Sequence, residues 1–156
     1  MRRLVFAALS LAFLAACQPA TMELTEDQKS FAVEQAKAVL ASHEELVRSG
    51  NLDGIVENMS EDIVALTPEA PLVVGREATR QLYVGMLGMG VWDMTHHYDG
   101  ADVAGDLVIL YGVARGSLTP EGGVASEFAN NFILTLRKET DGNYRVWRAA
   151  FAPNGE

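Results

Sequence analysis

The longest alternation of apolar and polar residues in the chain is SEFANNFILTLRK, residues Ser126–Lys138. Its even-numbered positions form an apolar face made of Phe128, Asn130, Phe132, Leu134 and Leu136. The odd-numbered positions are mostly polar, and a period of two predicts a strand with one face towards a core. We therefore place this segment at the centre of a curved antiparallel sheet.

Asn130 is the polar exception on that apolar face. An amide buried without partners costs about 1 to 3 kcal/mol, so it needs hydrogen bonds or access to a cavity. Two interpretations stay open. Asn130 either lines a ligand cavity, or it bonds to backbone at a bulge or to a buried water.

A long helix is predicted before the sheet. Thr25 and Gln28 form a capping box, the helix runs to about Ser49, and Gly50 follows as the residue that ends it. The predicted inward stripe consists of Phe31, Ala32, Gln35, Val39, Leu46 and Val47. His43 falls on the same stripe, where it either faces a pocket or is a packing residue.

Short elements follow this helix. The spacing of Leu52, Ile55, Val56 and Met59 predicts a second helix, capped by Asn51 or Asp53. Residues 62–66 and 72–74 are predicted strands joined by a turn that contains Pro68 and Pro71. A third helix is expected from Gly75 to about Leu87.

Three more strands are predicted, at 91 to about 103, 107–118 and 144–151, besides the central one. The first carries Trp92, Met94, His96 and Tyr98 on one face. His97 faces the opposite side, so the two neighbouring histidines do not share one metal ion, and we expect no metal site and no cofactor. In 107–118 both faces are apolar, and periodicity leaves the inner face open.

The N-terminal segment MRRLVFAALSLAFLAAC combines two arginines with a short apolar run that ends in small residues. That run is shorter than the roughly 20 residues of a transmembrane helix and is typical of a cleaved export signal. Leu14-Ala15-Ala16-Cys17 resembles the bacterial lipobox, which implies cleavage before Cys17 and lipid attachment to it. An ordinary secretory signal is the alternative.

We therefore expect a signal peptide at 1–16, a lipidated tether at 17–24 and one domain at 25–153. The resemblance implies a lipid-anchored protein on the periplasmic side of a bacterial envelope. Gln18 stands where an aspartate would favour retention at the inner membrane, so the outer membrane is favoured.

Charge and cysteine content limit the possible functions. Removal of residues 1–16 leaves 10 basic and 21 acidic residues, a formal charge of −11, which argues against a nucleic-acid partner. Cys17 is the only cysteine, so the sequence predicts neither an internal disulfide nor a thiol nucleophile in the domain.

The order of elements, with Gly75-Arg76-Glu77-Ala78 opening the third helix and Asp141-Gly142 the last turn, resembles the nuclear transport factor 2-like superfamily. Its SnoaL-like and ketosteroid-isomerase-like domains are the most similar. The resemblance covers about 25–152 and implies an α+β, cone-shaped, cystatin-like fold. In that fold a curved antiparallel sheet wraps around three N-terminal helices and leaves a pocket.

The candidate pocket residues are His43, Tyr83, Trp92, His96, Tyr111, Asn130 and Arg148. His96 could act as a general base, but the sequence assigns no carboxylate to orient it. The resemblance also implies two acidic positions, one before the proline of the first hairpin and one in the last strand. Here these positions hold Thr67 and Ala149, which makes the usual enolisation chemistry doubtful.

Three functions therefore stay open. The first is a lipoprotein that binds a small hydrophobic molecule without catalysis. The second is an isomerase, cyclase or dehydratase that uses His96 or His43 as base and Tyr83 or Tyr111 as donor. The third is an assembly module that acts through the outer sheet face, where we expect a weak homodimer.

Overall fold

A computed structural model describes residues 23–68 and 71–155 of the chain. The predicted signal peptide, Cys17 and part of the first hairpin turn lie outside these residues. The elements are α1 (Glu26–Arg48), α2 (Leu52–Glu57), β1 (Met59–Leu66), β2 (Val73–Val74), α3 (Arg76–Leu87), β3 (Val91–Ala104), β4 (Leu107–Thr119), β5 (Ser126–Lys138) and β6 (Tyr144–Pro153).

The six strands form one sheet in the order β2-β1-β6-β5-β4-β3. Neighbours run antiparallel except β1 and β6, which are parallel, so the expectation of a wholly antiparallel sheet is wrong at this one pair. The predicted central strand is β5, with the predicted bounds and inside the sheet. Phe132 and Leu134 are buried on its inner face, and Ile133 is exposed on its outer face, as the alternation predicts.

α1 begins and ends where its caps predict. Thr25 and Gln28 form the reciprocal capping box, and Ser49 is the C-cap. Gly50 follows with φ 69°, a left-handed conformation that favours glycine.

The buried stripe of α1 differs from the predicted one. It consists of Ala32, Ala36, Leu40, His43 and Val47, whereas Phe31 is 66% exposed and Gln35 is also exposed. Two small alanines let the helix approach the sheet closely. Side-chain size at the contact, rather than hydrophobicity alone, therefore selects the buried face.

Two β-bulges shift the alternation of inward and outward side chains, one in the edge strand β3 and one in the interior strand β6. In β3, Tyr98 pairs with Gly112 but Gly100 pairs with Tyr111, so Asp99 is the extra residue. In β6, Val146 pairs with Leu136 but Arg148 pairs with Thr135, so Trp147 is the extra residue. Beyond each bulge the inward positions shift by one residue.

Pairing also determines the inner face of β4, which periodicity left open. Val108, Leu110, Gly112 and Ala114 are buried and face α1 and the core. The core thus lies between the concave inner face of the sheet and the helices.

Candidate functional site

A hydrogen-bonded carboxylate and imidazole connect α1 to β3 within the cone. Glu44 Oε1 lies 2.8 Å from His96 Nδ1 and also accepts the backbone N–H of His96 at 2.8 Å. β3 is the last strand of the sheet, so Glu44 satisfies an amide on its open edge. The same contact holds the His96 ring in one orientation.

This pair is nearly closed off from solvent. The His96 side chain is 2% exposed and the Glu44 side chain 15% exposed. Burial lowers the pKa of His96, an effect that the hydrogen bond and charge of Glu44 oppose. The carboxylate accepts a hydrogen bond from Nδ1–H, so neutral His96 carries its basic lone pair on Nε2.

A second pair, His43 of α1 and Tyr83 of α3, lies in the same interior. His43 Nε2 and Tyr83 Oη are 2.9 Å apart, and the rings meet edge to face. Burial, followed by the charge of His96, lowers the pKa of His43 to about 4. Burial raises the pKa of Tyr83, so its hydroxyl stays protonated near neutral pH.

The direction of that hydrogen bond follows from the other nitrogen of His43. Nδ1 is buried and has no hydrogen-bond partner. An orphaned N–H is rarer in proteins than an unpaired acceptor, so we assign the proton to Nε2, which donates to Tyr83. The hydrogen of the Tyr83 hydroxyl is then available to a ligand.

These residues line a small inner cavity that adjoins a larger cleft. The inner cavity, about 60 Å³ in volume, is lined by His43, Tyr83 and His96 among mainly apolar side chains. The cleft, about 630 Å³, is lined by Trp92, Asn130 and other mainly apolar residues. Both spaces share Thr67, Leu82, Tyr83, Met94 and Phe151.

The two positions at which the resemblance implies acids do face the inner cavity. Thr67 and Ala149 both line it, and neither supplies a carboxylate. The carboxylate of this interior comes instead from Glu44, on a different element. The site therefore differs from the expected arrangement in the element that supplies its carboxylate.

The structure brings five of the seven candidates together. His43, Tyr83 and His96 line the inner cavity, and Tyr83, Trp92 and Asn130 line the cleft. The Trp92 indole donates to the backbone carbonyl of Met86 at 2.7 Å, which fixes its position at the wall.

Tyr111 does not belong to the site, which corrects its selection as a pocket residue. It lies on the outer face of β4, between the inward Leu110 and Gly112, and is 38% exposed. Its ring covers Gly100 of the neighbouring strand, where a Cβ atom would lie 2.1 Å from the Tyr111 hydroxyl.

Arg148 is likewise outside the pocket. The bulge at Trp147 turns Arg148 to the outer face, where its guanidinium stacks 3.8 Å from the Trp147 ring centre. It donates to the carbonyl of Asp62 at 2.9 Å. The alternation of β6 alone could not reveal this, because the bulge shifts it by one residue.

Glu44 is the candidate site residue that sequence reasoning missed. It is 52 positions from His96 and lies beside the predicted stripe of α1, so no local pattern connects the two. The one available signal was its place directly after His43 on a helix expected to cover the sheet.

Among residues 23–68 and 71–155, no three His, Cys, Asp or Glu side chains are grouped so that they could hold a metal ion. Within the same described residues, no helix combines the length and the apolar character needed to cross a membrane.

Comparison with known proteins places this geometry in a family. A profile of the SnoaL-like domain matches residues 39–149, and the chain belongs to this family. A prokaryotic membrane lipoprotein lipid attachment site matches residues 1–18, so the protein is a lipid-anchored bacterial envelope protein. Curated protein sequences give no match.

Solved structures show the same nuclear transport factor 2-like fold. A ketosteroid isomerase-like protein from Erwinia carotovora atroseptica is 17% identical, with a TM-score of 0.68 over 77% of this chain and 94% of that one. A scytalone dehydratase candidate from Novosphingobium aromaticivorans is 10% identical, with a TM-score of 0.76 over 83% and 89%. A nuclear transport factor 2-like protein with a cystatin-like fold from the same organism is 19% identical, with a TM-score of 0.62 over 81% and 85%.

Proposed function

We propose that this lipoprotein binds a small, neutral, hydrophobic molecule in its cleft and converts it by proton transfer. The observation that carries the proposal is the buried Glu44–His96 pair at the inner cavity. A histidine oriented by a carboxylate and kept neutral by burial is suited to general base catalysis near neutral pH. The protein acts on the periplasmic side of the envelope, with the outer membrane favoured by Gln18.

The lining argues for a neutral substrate. Apart from His43 and His96, the side chains that line the cavity and the cleft are apolar or polar and uncharged. Among the described residues, the lining includes no Lys, Arg, Asp or Glu. A carboxylate or phosphate would enter without a compensating charge, which is costly away from water. An apolar body in the cleft with one polar end in the inner cavity matches both volumes.

The chemistry assigns a role to each pair. His96 Nε2 removes a proton from a carbon next to a carbonyl, and the C–H electron pair moves towards the carbonyl oxygen. The Tyr83 hydroxyl donates to that oxygen as negative charge develops. Glu44 stabilises the imidazolium, which then returns the proton to another carbon or to a leaving hydroxyl, as in an isomerisation or a dehydration.

A second candidate, ligand binding without conversion, is supported by a different observation. Thr67 and Ala149 face the cavity where the resemblance implies acids. The cleft of about 630 Å³ has the size of a small-molecule site whether or not chemistry follows.

A generic proton-abstraction probe separates the two. 5-Nitrobenzisoxazole is neutral and mainly apolar. When a base removes the C–H proton of its isoxazole ring, the N–O bond breaks and a coloured cyanophenolate forms. We expect turnover by the wild-type protein and a loss on the order of 10²-fold in His96→Gln. The matched control is His97→Gln, next to it on the exposed face of β3, which should keep wild-type activity.

Glu44→Gln tests the orienting role. A glutamine amide that donates to Nδ1 would move the ring proton to Nε2 and remove the lone pair from the cavity, so activity should fall with little change in probe binding. Equal turnover rates for His96→Gln and His97→Gln would refute the assignment of His96 as the general base. Probe-dependent quenching of Trp92 without turnover would leave the binding candidate.

A further inference from the structure

One row of inward-facing residues crosses three strands of the sheet. His96 of β3 pairs with Ala114 of β4, and Ala114 pairs with Asn130 of β5. Neighbouring strands lie about 4.8 Å apart, so the Cα atoms of His96 and Asn130 are about 10 Å apart. Ala114 is buried and places only a methyl group between them. The imidazole and the amide therefore face the same concave side of the sheet, separated by one small residue.

The Asn130 amide is not engaged by the protein. Within residues 23–68 and 71–155, no group hydrogen-bonds to this side chain, which is half-buried at the cleft wall. Gln81, another amide of the same lining, is exposed and donates to Glu77 at 3.0 Å. A side-chain amide offers two N–H donors and a carbonyl acceptor. Asn130 therefore presents an unused set of donors and acceptors to a ligand in the cleft.

A continuous path connects Asn130 with the inner cavity. His96 lines the inner cavity, Asn130 lines the cleft, and Met94 lines both. Met94 is two residues before His96 on the inward face of β3, and in that row it lies opposite Phe128 across Gly116. A ligand with one end in the inner cavity therefore passes the Met94 thioether and extends along the wall that holds Asn130.

We propose that Asn130 is a specificity-determining residue that binds a second polar group of the ligand. The ligand class is then a neutral molecule with a carbonyl at one end, an apolar body, and a hydroxyl or second carbonyl at the other end. This inference rests on the proposed function for the end that lies in the inner cavity. A site with an amide placed to hydrogen-bond a ligand discriminates against an analogue without the polar group, because the amide then stays unpaired.

Two aromatic ketones of nearly equal shape test this role. 2-Acetylnaphthalene has a carbonyl at one end only, and 6-hydroxy-2-acetylnaphthalene adds a hydroxyl at the opposite end. Equilibrium dialysis against the wild-type protein should show tighter binding of the hydroxyl compound by about 3- to 10-fold, the gain expected from one neutral hydrogen bond. Binding is measured rather than turnover, so the result does not depend on whether His96 acts as a base.

Asn130→Leu should abolish the preference for the hydroxyl compound, because leucine offers neither donor nor acceptor. The matched control is Asn131→Leu, the same replacement one position further on, where the side chain is exposed on the outer sheet face. This control should keep the wild-type preference. Asn130→Ala gives the same comparison if leucine disturbs folding, and thermal melting shows which variants are folded.

Tyr83→Phe separates the two ends of the ligand. Loss of the Tyr83 hydroxyl should weaken binding of both ketones by a similar factor and leave the preference unchanged, since the two contacts are independent. A preference that is lost in Tyr83→Phe but kept in Asn130→Leu would overturn the proposal. Equal affinity of the wild-type protein for the two ketones, or binding of neither, would also overturn it. Failure of the proposed catalysis is measured separately, by the nitrobenzisoxazole turnover of His96→Gln.

Discussion

The carboxylate of Glu44 determines which nitrogen of His96 carries the proton in the neutral ring, and so leaves the lone pair on Nε2. This is a property of two residues 52 positions apart, made possible by the packing of α1 on β3. His43 and Tyr83 form the complementary donor pair. In our interpretation, each histidine has one nitrogen engaged by the protein and a separate role in the interior.

His43 should make folding sensitive to acid. Its pKa is about 4 when folded against 6.5 ordinarily, so between these values the unfolded chain binds a proton that the folded chain does not. The titration of His43 therefore leaves the free energy of unfolding unchanged above pH 6.5. Below that pH it lowers the free energy of unfolding, by about 3 kcal/mol at pH 4. Urea unfolding across this window should show a smaller loss for His43→Leu than for wild type. The exposed-site control His97→Leu should keep the wild-type slope, and equal slopes for all three proteins would contradict the assignment.

Asn130→Leu should keep or raise thermal stability while it weakens binding of polar-ended hydrophobic ligands. Asn130 is half-buried at the cleft wall, so leucine replaces an amide with similar apolar volume. Calorimetry and ligand titration measure both effects. A loss of about 1 to 3 kcal/mol would instead mean that the amide secures backbone or a buried water.

At the level of elements, the approach of α1 to the sheet depends on its alanines. Ala36 is fully buried at the contact, whereas Ala38, half a turn away, is exposed. The close contact is what allows Glu44 to reach the edge of β3.

Ala36→Leu should therefore destabilise the domain by about 1 to 3 kcal/mol through overpacking, and should disturb the Glu44–His96 bond. Ala38→Leu adds the same side chain on the solvent side and should change stability by less than about 0.5 kcal/mol. Chemical denaturation of both variants gives the comparison. Equal effects would mean that the helix does not pack tightly at Ala36.

On the scale of the whole molecule, the lipid on Cys17 is the expected membrane attachment. Cys17→Ser should release the protein from the membrane fraction, because it removes the lipid that anchors the protein. Fractionation after export measures the release. Wild-type protein that takes up no radioactive palmitate would show that the attachment site is not used.

The outer sheet face should support a weak homodimer. Ile133 is exposed there, with Ala129 and Trp147 beside it on the same side, but Asn131 and Arg137 interrupt the apolar surface. Light scattering of residues 18–156 at micromolar concentration should give a mass above that of the monomer, and Ile133→Glu should reduce it. A sharp monomer mass for both proteins would refute the dimer.

Much of the fold was determined by local sequence. The capping box at Thr25, the glycine after α1 and the alternation in β5 each depend on residues within a few positions of one another. Local hydrogen bonds and side-chain periodicity suffice for such features. The attachment site at Cys17 and the family resemblance were readable for the same reason, as contiguous or regularly ordered residues.

The site itself was decided by tertiary structure. Periodicity could not choose the inner face of β4, so it could not show that Tyr111 lies on the outer face. The bulge at Trp147 turned Arg148 outward, since a one-residue shift reverses which face a side chain occupies. The buried stripe of α1 depended on which residues are small enough to approach the sheet. The contact between Glu44 and His96 exists only because that helix lies against the edge strand, and no pattern within either segment contains the distance between them.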